Sequence, residues 1–244
     1  VRRGKLFTAC SHATMTVMVI AMIIFEFVVL IFSAVLHEVA HGYEAERLGD
    51  PTARNAGRLT LNPLKHLDWF MSFFMPLILF LTTGFFFAGA KPVPYNPNNL
   101  KNPRVDAVKV AFAGPITNLC IALVFGILSA LLPIANATKD ILFNNVLTGS
   151  LPTFSGSFDG IYFFFLIIVY INILLGIFNL VPIPPLDGSK LLFLILPPTP
   201  ATYKFMYFME RWGLILVLVF VFFGFQVILP VITFFFALFT GRIF

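Results

Sequence analysis

Across 244 residues the chain carries 59% hydrophobic and only 11% charged side chains, with a mean hydropathy of +0.94, which a water-soluble domain could not hold without a very large exposed apolar surface. The formal charge of +5 is dispersed among polar connections between apolar runs, which argues against a nucleic-acid partner and for membrane topology signals. Two cysteines, Cys10 and Cys120, supply neither a disulfide framework nor a CxxC site.

Apolar runs of spanning length lie at 13–36, 71–88, 110–132, 160–181 and 213–239, against the roughly 20 residues a crossing helix needs. The connections are short, so residues 1–244 read as a single membrane-embedded domain, with a core over 30–190 and a C-terminal helical region over 191–244. The opening VRRGK and its apolar run superficially resemble a signal peptide. No small-residue cleavage site closes that run, and we read it as a retained helix.

The first run ends in VLHEVAHGYEAER, residues 35–47. On a helix His37 and His41 leave from one face and can bind a single metal, while Glu38 can reach a water held there and take its proton. The competing reading is a chance match with a satisfied core histidine. Ionisable groups at the end of an apolar run are costly, which favours function. Glu26 lies eleven residues before His37, nearly on the same helix face and about 16 Å away. It reads equally as a polar lining of a path to the site and as a neutral carboxyl inside the bundle.

Residues 48–68 are polar and punctuated by Pro and Gly, with a short alternating piece, Arg58 to Leu61, that suits a strand. Lys91 to Tyr95, KPVPY, is a second extended candidate, because the residue before a proline avoids the helical region. His66 in this loop is a candidate for the wall of the site, but an exposed loop histidine is the favoured reading. In the third run Gly114, Pro115 and Asn118 mark a close helix approach, with Asn118 able to hydrogen-bond across it. The fourth run ends in NLVPIPPLDGSK, where Pro182, Pro184 and Pro185 unwind the chain as it delivers Asp187. Beside two histidines that need a third ligand, Asp187 is the best candidate.

His37 and Asp187 both sit at the C-terminal ends of their runs, so one metal touches both only if an odd number of crossings separates them. Basic residues flank 71–88 on both sides (Arg47, Arg54, Arg58 and Lys65 before; Lys91, Lys101, Arg104 and Lys109 after), which marks that run as re-entrant from the cytoplasmic face. Helix rise then puts the metal about 9–15 Å inward of Arg47. The expected fold is an all-α polytopic membrane protein of about four crossing helices, a re-entrant segment and short membrane-associated β-strands.

HEVAH at 37–41, GPITN at 114–118 and NLVPIPPLDG at 179–188, in that order, resemble the motifs of the site-2 proteases, zinc intramembrane metalloproteases. LGDPTARNAGRLTLNPLKHLD and AGAKPVPYNP are similar to a compact bacterial subgroup without PDZ or CBS domains. The resemblance implies one Zn²⁺ held by His37, His41 and Asp187, Glu38 as general base, and Asn179 near the substrate backbone or transition-state oxygen; Asn118 is a further candidate for such a contact. It also implies that KPVPY pairs with an extended substrate. The expected activity is hydrolysis of a peptide bond within or near a transmembrane helix of a membrane-protein substrate. The expected setting is a multi-pass protein of the plasma membrane, in contact with lipid, its site toward the cytoplasm. The alternative is a membrane zinc-binding or transport protein without proteolysis, for which a base beside the ligand pair has no use.

Overall fold

The computed structural model describes residues 2–66, 74 and 92–242, with side chains from residue 15 onward. Helix α1 runs from Arg2 to Arg47, so the first apolar run and the HEVAH stretch form one continuous rod. A single turn, α2 (Thr52–Asn55), and a short 3-10 turn, Pro63–Lys65, follow in the polar connection, and a second 3-10 turn, Pro97–Asn99, precedes the next helix. Asn62 and Asn96 cap those two turns, their side chains accepting from Leu64 N and Asn98 N at 3.1 Å each.

Helix α3 (Pro103–Leu131) starts on a proline at its first turn, seven residues before the apolar run proper. Helix α4 (Asn136–Thr148) fills the connection at the far end, and α5 (Asp159–Asn179) returns to the site end. Asp159 opens α5 by accepting from Ser155 N and Gly156 N at 2.9 and 2.7 Å. After the proline segment come α6 (Gly188–Ile195), α7 (Pro200–Val219), a π-type turn over Phe220–Gly224, and α8 (Phe225–Phe239). The last apolar run is therefore carried by a helical stretch that begins at Pro200 rather than near 213.

Among the described residues, four helical stretches are long and apolar enough to cross a membrane: Met15–Arg47, Pro103–Leu131, Asp159–Asn179 and Pro200–Phe239. Lipid would face Ile20, Ile24 and Val28 of α1 and Val124 and Ile127 of α3, which are exposed. The core is built on α5, whose Tyr162, Phe163, Leu166 and Ile173 pack with Ala122 of α3 and Ile232 and Phe236 of α8.

Contacts along the bundle give the helix directions. Ser33, His37 and His41 of α1 meet Asn118 and Val110 of α3 in reverse order, so these two helices are antiparallel. Asn172 of α5 bonds Ser33, and Asp187 reaches both histidines, so α1 and α5 run the same way. Asp50 is bonded to Asn96 and Asn99, so the chain leaves α1 and re-enters α3 at one end of the bundle.

Some expectations need correction. The described residues contain no strand: Arg58–Leu61 and 92–95 are irregular. Thr60 N bonds Arg58 O within its own loop at 3.0 Å, and Pro92 and Pro94 have no N–H to offer a ladder. Run 71–88, expected to be re-entrant, lies outside the described residues except for Phe74. His66 is fully buried rather than exposed, and its Nε2–H donates to Thr60 O at 2.8 Å, pinning the loop. Glu26 is exposed, not internal to the bundle.

Candidate metal centre

Two helical turns and one unwound turn make the centre. In α1 the four-residue spacing stacks His37 and His41, their rings edge to face with centroids 4.6 Å apart. The helix α5 stops at Asn179, and the chain through 180–187 is a series of turns that puts Asp187 at the start of α6. Gly188 allows that reversal, because a Cβ there would lie 2.1 Å from Leu180 O. The result brings Asp187 Oδ2 to 3.1 Å from His37 Nε2 and 3.3 Å from His41 Nε2.

Hydrogen bonds behind the rings set their tautomers. His41 Nδ1 lies 2.7 Å from Val110 O, which can only accept, so Nδ1 carries the proton. His37 Nδ1 lies 2.6 Å from Asn118 Oδ1. The Asn118 amide nitrogen donates to Asn172 Oδ1 at 2.9 Å and to Ser33 O at 3.3 Å, which fixes the amide and leaves its oxygen as an acceptor for His37. Asn172 in turn donates to Ser33 Oγ and Ile168 O, both at 2.9 Å. With both Nδ1 protons committed, two Nε2 lone pairs and a carboxylate oxygen face a common point.

Three acceptors turned toward one another call for a cation. One ligand atom from each of His37, His41 and Asp187 lies within 4.8 Å of the others. Zinc bonds of about 2.0–2.1 Å in tetrahedral geometry space their ligands roughly 3.3 Å apart, close to the carboxylate-to-imidazole distances here. Two nitrogens and one oxygen, with a position left open, suit a catalytic rather than a structural zinc.

Glu38 does not join the ligand group. Its Oε2 accepts from Val93 N at 2.8 Å. Tyr95, two residues on, is half-buried, and its hydroxyl is pushed up by burial and by the carboxylates of Asp187 and Glu210. Asn179 sits at the end of α5 with its amide nitrogen donating to Leu175 O at 2.9 Å. Asn118, expected as a contact to substrate, is fully buried beneath His37 with its amide engaged, and the geometry makes it an orienting partner of that ligand.

Asn172 and Ser33 carry no sequence motif, and Val93 and Tyr95 enter the sequence reading only as part of KPVPY, without a link to Glu38. A polar signal existed for Asn172, an amide in the apolar run YINILLG, where such a group needs partners. For Val93 the acting group is backbone, which carries no residue-type signal.

The profile of peptidase family M50 matches residues 25–220, more than half of the chain and all the residues just described. The chain belongs to this family, that of the site-2 proteases. It is 39% identical over 171 residues to the candidate zinc metalloprotease YwhC of Bacillus subtilis, covering 70% of this chain and 68% of that one. A candidate zinc metalloprotease of Mycolicibacterium smegmatis, Rip2, is 29% identical over 189 residues, 78% of this chain and 63% of its own length. A third, MJ0611 of Methanocaldococcus jannaschii, is 30% identical over 182 residues, 73% of this chain and 80% of that one. No solved structure matches the chain. Membership in M50 and the four apolar helices make this an integral membrane protein of a metalloprotease family.

Gly114 of α3 is what lets α3 approach the M50 histidines: a Cβ there would lie 2.6 Å from His37 Nε2 and from His41 Nε2. Gly114→Val should therefore push the imidazoles off the common point. We expect zinc content, measured by inductively coupled plasma mass spectrometry, to fall well below that of the parent protein while the helical circular dichroism signal is retained. Full zinc content in this variant would contradict the packing argument.

Proposed function

We propose that this chain is an intramembrane zinc endopeptidase that cuts a peptide bond within or near a transmembrane helix of a membrane-protein substrate. The observation that carries the proposal is the convergence of His37, His41 and Asp187, from positions 150 residues apart, with Glu38 held beside them but outside the ligand group. His37, His41 and Asp187 would hold one zinc. A bound zinc supplies Lewis acidity toward the scissile carbonyl and lowers the pKa of water toward neutrality.

The chain's own residues do the rest. Glu38 has one oxygen fixed on the Val93 N–H, which leaves Oε1 to take the proton of the attacking water and return it to the leaving amine. Asn118 and Val110 hold the imidazole protons on Nδ1 throughout, so both rings keep their Nε2 lone pairs for the metal. Asn179 would act on the substrate backbone or the developing oxyanion. A substrate helix shields its peptide bonds by its own hydrogen bonds, so it must unwind, and the KPVPY segment, Lys91 to Tyr95, would lie alongside the unwound stretch. The protein would sit in the plasma membrane, with 71–88 entering and leaving on the cytoplasmic face.

The activity test incubates purified protein in detergent with a panel of single-pass membrane proteins and reads new termini by mass spectrometry. We expect cuts inside or at the edge of the apolar segment, abolished by a zinc chelator and restored by added zinc. A complete absence of chelator-sensitive cuts would contradict the proposal. The topology is tested with Lys65→Cys and Asn98→Cys in a chain lacking Cys10 and Cys120. An impermeant thiol reagent should label both positions from the cytoplasmic face only. Labelling from opposite faces would make 71–88 a full crossing.

A further inference from the structure

The carboxylate of Asp50 lies outside the centre, at the end of α1, and is fully buried. Its backbone is built onto that helix by a closing turn in which Gly49 takes φ 110°. Gly49 N bonds Glu46 O at 3.0 Å and Asp50 N bonds Ala45 O at 2.9 Å, the paired bonds of a Schellman motif. Asp50 is thus as firmly placed as α1 itself.

Its side chain is fully committed. Oδ1 accepts from Thr52 N at 3.1 Å, Thr52 Oγ1 at 2.5 Å and Asn99 Nδ2 at 2.7 Å, while Oδ2 accepts from Asn96 N at 2.6 Å. Burial alone would raise this carboxyl, but the donors from Thr52, Asn99 and Asn96 outweigh it and hold the group below the ordinary carboxylate range, ionised. Two of those donors come from 46 and 49 residues away in sequence.

The segment that Asp50 grips is the one that reaches Glu38. Asn96 is three residues after Val93, with only Pro94 and Tyr95 between, and its own backbone is extended at φ −112°, ψ 107°. Pro92 and Pro94 have no N–H, so Val93 supplies the donor at this place, and it goes to Glu38 Oε2. Val93 is buried over Gly42, where a Cβ on the helix would lie 3.0 Å from Val93 Cγ1. Glu38 and Asp50 are therefore two anchor points on α1 for one short, stiff piece of chain.

We propose that Asp50 is a positioning residue for Glu38: by fastening Asn96 and Asn99 to the end of α1, it holds the Val93 N–H on Glu38 Oε2 and so fixes the direction of the base. This rests on the role proposed above for Glu38. A misplacement of about 1 Å at a reacting group can cost on the order of 10²-fold in rate. In Asp50→Asn the amide nitrogen must take the place of one carboxylate oxygen, so a donor faces a donor at Asn96 N or among the Thr52 and Asn99 donors.

The test is a double-mutant cycle of Asp50→Asn with Val93→Pro, which deletes the N–H. Turnover is followed with a fluorogenic peptide spanning an apolar segment of about 20 residues, in purified full-length protein with zinc content measured alongside. Each single variant should lose roughly 10- to 100-fold in kcat with zinc retained, and the double variant should be no slower than Val93→Pro alone. Losses that multiply, or an Asp50→Asn protein with parental kcat, would overturn the proposal. If Asp50→Asn does not fold, Asn99→Ala, which removes one bond of the clasp, carries the same cycle with a smaller loss and the same non-additivity. Glu38→Gln is run in parallel. Parental turnover in that variant sinks the function proposed for Glu38, whereas an inactive Glu38→Gln with multiplying losses in the cycle sinks only the role of Asp50.

Discussion

Glu38→Gln should keep one zinc per chain and lose hydrolysis by on the order of 10²–10⁴-fold, the usual contribution of a positioned general base. The amide preserves size and can still accept from Val93 N through its oxygen, so the fold around the base and the ligands is undisturbed. What it loses is the capacity to take a proton. Because Glu38 stands outside the group of His37, His41 and Asp187, metal retention and turnover should separate in this variant. Zinc content by mass spectrometry and product formation from a cleaved membrane protein are the two readings. Parental turnover with the amide in place would show that Glu38 is not the base.

Asp187→Ala should have the largest effect on the metal. Removing a hydrogen-bond partner of a metal ligand costs roughly 10–100-fold in affinity, and removing a ligand outright should exceed that. The alanine also leaves two Nε2 atoms that no longer share a carboxylate oxygen at 3.1 and 3.3 Å. Asp187→His should restore part of the zinc content, since imidazole is an ordinary zinc ligand and the turn through 180–187 is not bound to helical directions. Glu26 offers no substitute: it lies on α1 eleven residues before His37 and is exposed. Parental zinc content in Asp187→Ala would require a different third ligand.

Much of the site was legible because the chemistry-bearing groups are costly where they stand. Two imidazoles four residues apart at the end of an apolar run, and an aspartate delivered by three prolines, pointed to one metal before any coordinates. The same-direction requirement for α1 and α5 was likewise readable, and the Asp187 contacts to both histidines satisfy it. The layer behind the ligands was not legible, because its meaning lies in packing. Asn118 reads as an interhelical hydrogen-bonder, but only the crossing of α1, α3 and α5 shows that its oxygen goes to His37 and its nitrogen to Asn172 and Ser33. His66 shows the opposite failure: a polar loop suggested exposure, whereas the ring is buried as the pin of that loop. The strand expected at Lys91 to Tyr95 is not formed over the described residues 92–95, and the local reason is that Pro92 and Pro94 offer no ladder donors.

The central claim is that one zinc lies between His37, His41 and Asp187. X-ray absorption at the zinc edge of the Glu38→Gln protein, which should hold metal without turning over, tests it most directly. The expected spectrum has two imidazole nitrogens and oxygen ligands at about 2.0–2.2 Å, one of the oxygens lost or replaced in the matching Asp187→His protein. A first coordination sphere unchanged by Asp187→His, or one containing sulfur, would contradict the assignment.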